Sequence, residues 1–152
     1  MVEGPDYSNH LEGVRKLPVR LNVPHQLVYS PHEYGFQRPV DASYEQFKKR
    51  VDGQWGYIAQ GADATPLWLG EFGYCQHPAG CESFQAWLPF LTRYLEESHM
   101  SWAYWPLNGT QSSGQGRLYG TVEGYGLLAA DYKTIAAPEV LDLLRKAGLR
   151  PE

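Results

Sequence analysis

The sequence predicts an α/β domain: a parallel sheet covered by helices. Three observations carry that prediction. Short apolar runs alternate with segments of helical periodicity, in the order strand, helix, strand, helix, strand, helix. The strand runs are continuously apolar rather than alternating, as strands buried on both faces are. Each run also ends in polar or aromatic groups at its C-terminal side, where parallel α/β folds place their chemistry.

Val2 to Gly4 reads as the remnant of an earlier strand. Gln26-Leu27-Val28-Tyr29-Ser30 reads as a short buried strand stopped by Pro31. Tyr44, Phe47, Val51, Trp55 and Ile58 then recur at spacings of three and four, which is one helix face. Ser43 with Gln46 resembles a capping box, and Gly61 suits the C-terminal stop; Gly53 and Gly56 oppose a continuous helix. Pro66 to Phe72 is the next strand. Phe84, Trp87, Leu88, Leu91 and Leu95 mark a second amphipathic helix ending near Ser98, with Pro89 expected to kink it. Met100 to Leu107 is a third apolar, aromatic run. The last helix starts at Pro138, a good first helical residue, and runs through Val140, Leu141 and Leu144 to Arg145 and Lys146, with Gly148 after it. Leu107 to Asp131, rich in Gly, Ser and Gln, is too long for a plain connection and reads as a functional loop. No internal repeat or linker divides the chain, so residues 1–152 are expected to form one domain.

Composition narrows the function. The chain has 152 residues, 43% hydrophobic and 20% charged, enough for a real core. A net charge of −4 argues against nucleic acid as a partner. No apolar run approaches the ~18 residues of a membrane span, and Met1-Val2-Glu3-Gly4 opens on strand-like residues rather than a signal peptide. With neither a Cys-x-x-Cys nor clustered histidines, no metal and no cofactor is expected. Cys75 and Cys81 either close a small disulfide or remain two thiols. Eleven Tyr and five Trp exceed what a core of this size needs. Flat amphipathic rings suit a sugar-binding cleft, where CH faces pack on them and hydroxyls bond the rim.

The sharpest signal is Trp68-Leu69-Gly70-Glu71-Phe72-Gly73, which delivers one carboxylate to a glycine-flanked strand end. Three consecutive strand ends contribute His32, Tyr34, Glu71 and Trp105 to one rim, followed by Asn108. Glu33 should point away from His32 and Tyr34 if the strand alternates, which makes it structural or solvent-facing. His10, His25, His77 and His99 carry no motif and are expected in surface or loop roles.

Four stretches together resemble glycoside hydrolase family 5, and its endo-β-1,4-glucanases (cellulases) in particular. They are Tyr29-Ser30-Pro31-His32-Glu33-Tyr34, Trp68 to Gly73, Ser101-Trp102-Ala103-Tyr104-Trp105-Pro106-Leu107-Asn108-Gly109, and Tyr125-Gly126-Leu127-Leu128 with Asp131-Tyr132. The family fold is a (β/α)8 TIM barrel of ~250 residues or more. The resemblance covers only its second half, a half-barrel of strands five to eight. Val2 to Gly4 would be strand five, the His32 run strand six, Glu71 strand seven and Trp105 strand eight.

The resemblance implies a retaining mechanism with two carboxylates ~5–5.5 Å apart. Glu71 matches the nucleophile. Tyr34 matches the tyrosine bonded to it, whose donated hydroxyl stabilises an ionised carboxylate. His32 matches the histidine near the acid/base and substrate. Trp105 matches the sugar platform, and Asn108 follows it in the substrate-binding stretch, where Pro106 replaces the usual small residue. The implied partner is a β-glucan polysaccharide or oligosaccharide, and the implied location is outside the cell. The family's acid/base, a Glu in Asn-Glu-Pro, has no counterpart here. Its absence withholds general acid catalysis typically worth 10²–10⁴-fold. Glu3, beside the missing position in barrel order, is a better substitute than Glu33. A half-barrel beginning on strand five is expected to be a truncated product or an incomplete record. Its two edge strands would pair in a homodimer or with a missing N-terminal half. The alternative function is a catalytically silent sugar-binding half-barrel that self-associates.

Overall fold

The alternation of apolar runs and helical periods builds one parallel sheet with helices on one side. The computed structural model describes residues 1–37, 41–76, 86–114 and 116–148. Strands β1 (His32–Glu33), β2 (Trp68–Phe72) and β3 (Ser101–Tyr104) pair in parallel in the order β1-β2-β3. A single turn, α1 (Pro5–Ser8), precedes them; α2 (Tyr44–Gln54) and α3 (Trp87–Ser98) are the crossovers, and α4 (Pro138–Lys146) follows β3.

The N-terminal remnant joins the sheet. Val2 forms a parallel bridge to Tyr29, which bridges Leu67 on its other side. The Val2 N–H donates to Val28 O at 2.9 Å and the Ser30 N–H to Val2 O at 2.8 Å.

The strand expected over Gln26–Ser30 lies further along the chain. Within that run Tyr29 makes isolated bridges, and the regular strand is His32–Glu33, beyond Pro31. Pro31 does not stop the pairing, because the ladder uses its carbonyl, which accepts from the Gly70 N–H at 3.0 Å. A proline lacks only the donor.

The helices pack one sheet face. Leu69 and Phe72 of β2 are fully buried with Phe47 and Val51 of α2, Leu91 and Leu95 of α3, and Val140 and Leu144 of α4. Burying a side chain of this kind stabilises the fold by about 1.5–3 kcal/mol. Ser43 caps α2, its Oγ accepting from the Gln46 N–H at 3.3 Å, while Gln46 Oε1 accepts from the Ala42 N–H at 3.1 Å. The return bond therefore falls one residue before the cap. The helix stops at Gln54, and Ile58, expected on its face, lies in a separate 3-10 turn, Gly56–Ala59. Gly56 lets α3 approach: a Cβ there would stand 2.2 Å from the Tyr94 hydroxyl. Gly61, with φ +80°, follows that turn rather than α2.

Pro89 does not sit in a helix interior. It is the third residue of α3, among the first four, whose N–H groups have no intrahelical partner, so no kink is required. His99 closes α3 in the left-handed conformation, φ 51°. Phe84, His77 and Cys81 lie outside the described residues. Cys75 is disulfide-bonded. No helix among the described residues is long and apolar enough to cross a membrane, and among them no group of three or more His, Cys, Asp or Glu could hold a metal ion.

Candidate active site

The site begins with an irregularity in β2. Leu69 pairs with Trp102 and Phe72 with Tyr104, so the β2 segment holds one residue more than the β3 segment opposite it. Such a bulge bends a strand and re-aims its side chains. Leu69 and Phe72 both turn to the helices, and Glu71, between them, opens onto a cavity. Both flanking glycines are needed for close approach. A Cβ on Gly70 would lie 2.1 Å from Ser30 Oγ, and one on Gly73 would lie 2.3 Å from the Trp105 carbonyl oxygen.

The cavity, about 610 Å³, is lined by His32, Tyr34, Glu71 and Trp105, with Tyr7, Phe36, Arg117, Glu123 and Tyr125 among its other walls. His32 and Glu71 are register partners across β1 and β2. The Tyr34 hydroxyl donates to Glu71 Oε1 at 2.8 Å. Burial first, and then that hydrogen bond, push the Tyr34 phenol far above its ordinary range. It therefore stays a neutral donor beside the carboxylate. His32 Nε2 lies 3.8 Å from Glu3 Oε1, and Glu3 is more than half exposed.

Glu33 is structural. It is fully buried on the helix side, where Arg50 Nη1 donates to Oε1 at 3.0 Å. The Trp87 indole N–H reaches Oε1 at 3.4 Å and that of Trp55 reaches Oε2 at 3.5 Å. It cannot serve as an acid in the cavity. Asn108 is not among the cavity-lining residues; its amide donates to Thr110 O at 2.6 Å and shapes the following loop.

The long loop after β3 holds what residue patterns alone did not reveal. Arg117 lies over Trp105, its Cζ 4.7 Å from the ring centroid, and ion-pairs with Glu123, which is 3% exposed. Glu123 Oε1 also accepts from the Tyr125 N–H at 3.2 Å. The Tyr125 ring meets Tyr34 edge-on at 6.2 Å and Trp105 at 6.2 Å. Tyr104, its phenol pushed up to about 12 chiefly by burial, donates to Tyr125 O at 3.0 Å and secures that residue from below. The length and composition of the loop marked it as functional, but a lone Arg and a lone Glu carried no motif.

Residues 1–111 match the family described as cellulase, glycosyl hydrolase family 5. The chain belongs to glycosyl hydrolase family 5. Over 128 residues it is 31% identical to an endoglucanase of Paenibacillus polymyxa, covering 71% of this chain and 31% of that protein. Over 113 residues it is 29% identical to endoglucanase G of Acetivibrio thermocellus, covering 67% of this chain and 19% of that protein. The fold matches a hyperthermophilic endocellulase from the archaeon Pyrococcus horikoshii with a TM-score of 0.70 at 24% identity, covering 93% of this chain and 36% of that one. It also matches the catalytic domain of the major endoglucanase from Xanthomonas campestris pv. campestris, with a TM-score of 0.67 at 22% identity, covering 95% of this chain and 39% of that one. The family 5 chain thus spans between 19% and 39% of the length of these relatives.

Proposed function

We propose that this chain is the C-terminal half of a family 5 catalytic barrel and serves the retaining hydrolysis of β-1,4-glucosidic bonds in cellulose or a related β-glucan. In this reading Val2, β1, β2 and β3 correspond to strands five to eight. The observation that carries it is the Glu71 carboxylate, held by the Tyr34 hydroxyl at 2.8 Å in a cavity walled by Trp105 and His32. Glu71 is the nucleophile: its carboxylate oxygen bonds to the anomeric carbon as the glycosidic oxygen leaves. Tyr34 orients that carboxylate while remaining protonated. Trp105 presents an aromatic surface to the sugar, and His32 lies toward the leaving-group side.

The proton for the leaving oxygen comes from a carboxylic acid outside these 152 residues, since no Asn-Glu-Pro occurs in them. Glu3, 3.8 Å from His32, is the nearest substitute in this chain. The partner is a β-glucan chain; one solved relative is an endocellulase complexed with cellotetraose. A polymer of this kind is met outside the cell, and the disulfide-bonded Cys75 suits an oxidising compartment.

A second reading rests on the open side of the sheet. Trp68 is 38% exposed there, and the outermost segments are Val2, bridged to Tyr29, on one side and β3, paired with β2, on the other. A silent sugar-binding half-barrel that pairs with a second copy would cover that face. Hydrolysis of a soluble β-1,4-glucan separates the readings, with the chain assayed alone and mixed with the N-terminal half of a family 5 barrel, beside Glu71→Gln. Turnover by the chain alone or in the mixture that disappears in Glu71→Gln supports the enzymatic reading. Turnover that survives the substitution contradicts it. Cellotetraose binding with no turnover under any condition favours the second reading.

A further inference from the structure

The loop after β3 contains an ion pair whose position neither its sequence nor the general arrangement of the cavity explains. Glu123 is buried, and its two oxygens are both occupied: Oε2 by Arg117 Nη2, Oε1 by the Tyr125 N–H at 3.2 Å. Arg117 is less well served. Its Nε is buried with no hydrogen-bond partner among the described residues. An arginine placed for its hydrogen bonds alone would not leave that donor unmet. Besides its pair with Glu123 it makes a second contact, lying over Trp105 with Cζ 4.7 Å from the ring centroid.

The contacts form a continuous series within one cavity. Glu123 holds Arg117, Arg117 lies on Trp105, and Trp105 meets Tyr125 at 6.2 Å. Tyr125 meets Tyr34 edge-on, and Tyr34 bonds Glu71. From this series we infer that Arg117, anchored by Glu123, is a positioning residue that fixes the plane of Trp105 and so the placement of the sugar beside Glu71. The inference rests on the proposed function above. Arg117 is a permanent part of this wall and not a gate. Swinging it away would strand Glu123 as an uncompensated buried carboxylate, a heavier loss than a sugar contact returns. The pair is also self-neutralising, which suits an uncharged glucan rather than an acidic polysaccharide.

Two readouts test it on the full chain: cellotetraose binding by calorimetry, and the indole N–H resonance of Trp105, assigned as the signal lost in Trp105→Phe. Arg117→Met leaves Glu123 buried and alone, so the double variant Arg117→Met/Glu123→Gln is compared with it. The expected result is that the double variant recovers the thermal stability lost by the single one. It should still bind cellotetraose about tenfold more weakly than the parent, between the scales of an exposed and a desolvated cation–π contact, with the Trp105 resonance shifted or broadened. Parental binding and an unmoved resonance in the double variant would overturn the inference. If the parent binds no cellotetraose either alone or mixed with the N-terminal half of a family 5 barrel, the proposed function fails. The positioning of Trp105 is then judged by the resonance alone, an unmoved signal overturning it.

Discussion

The two faces of the sheet hold a carboxylate in opposite ways. On the helix face, Glu33 is fully buried and receives Arg50 at 3.0 Å and the indoles of Trp87 and Trp55. Arg50 is itself braced by Asp41 at 2.9 Å. On the cavity face, Glu71 has a neutral donor in Tyr34 and an open space in front of it. The two residues stand on neighbouring strands, one register position apart, since His32 pairs with Glu71 and Glu33 with Phe72. A carboxylate whose charge is cancelled and whose lone pairs are filled is a structural strut. One that is oriented by a phenol without being neutralised keeps its charge for a ligand. The comparison separates two glutamates that the sequence places in similar strand-end settings.

The sharpest way to break this comparison is to remove the counter-charge. Arg50→Ala leaves Glu33 buried and unpaired and is expected to cost about 3–5 kcal/mol. Glu71→Gln, on the open face, keeps an oxygen that can accept from Tyr34 and should cost no more than one hydrogen bond, about 0.5–1.5 kcal/mol. Urea denaturation of the two variants measures both, and equal losses would erase the distinction. Next in size is Gly73→Ala. Its Cβ would lie 2.3 Å from the Trp105 carbonyl, a backbone atom, so the strand must shift. Overpacking of this kind costs about 1–3 kcal/mol, and cellotetraose binding should weaken with it. Unaltered stability and binding would mean that the close approach at Gly73 is dispensable.

Alkaline pH sharpens the comparison more gently. Tyr34 on the cavity side and Tyr94 on the helix side both have phenols raised far above the ordinary range, first by burial and then by hydrogen bonds to Glu71 and Asp52 respectively. In the unfolded chain these phenols ionise near pH ~10. Their contribution to stability is therefore complete below that value and declines as pH rises from it toward the folded-state values. Denaturation midpoints near pH ~8 and pH ~11 should fall less in Tyr34→Phe than in the parent. Equal declines would show that Tyr34 is not held protonated. The smallest effect belongs to Gly53 in α2, where a Cβ meets nothing within 4 Å. Gly53→Ala should stabilise the fold by about 0.5 kcal/mol without touching ligand binding.

Legibility followed the physics of each element. The helix faces were readable because Phe47, Val51, Leu91 and Leu95 recur at helical spacing and pack as that spacing requires. Trp68–Phe72 was readable from the apolar run Pro66 to Leu69 that leads into it. The path of the first strand was not, because the missing donor of Pro31 conceals a carbonyl that still pairs. The bulge at Gly70–Glu71 was equally hidden, since register is a property of two strands and not of one. The rim residues His32, Tyr34, Glu71 and Trp105 could be named from strand ends, and the structure places them around one cavity. Asn108 was placed with them by sequence order, but its amide turns to Thr110. Arg117 and Glu123 escaped notice because their meaning lies in a ring 12 residues upstream of Arg117 and in the burial of Glu123, neither of which composition encodes.

The most direct test of the account asks whether Glu71 forms a covalent bond to sugar. A 2-deoxy-2-fluoro-β-cellobiosyl fluoride carries a leaving group that departs with its electron pair and needs no proton donor, so it tests the Glu71 carboxylate independently of any general acid. Attack by a Glu71 oxygen on the anomeric carbon breaks the carbon–fluorine bond there and leaves a glycosyl ester that the 2-fluoro substituent slows in hydrolysis. Mass spectrometry of the digested protein should find one added fluorocellobiosyl group on the peptide containing Glu71, absent from Glu71→Gln and competed away by cellotetraose. Labelling at another carboxylate, or labelling that persists in Glu71→Gln, would contradict the assignment of Glu71 as the nucleophile.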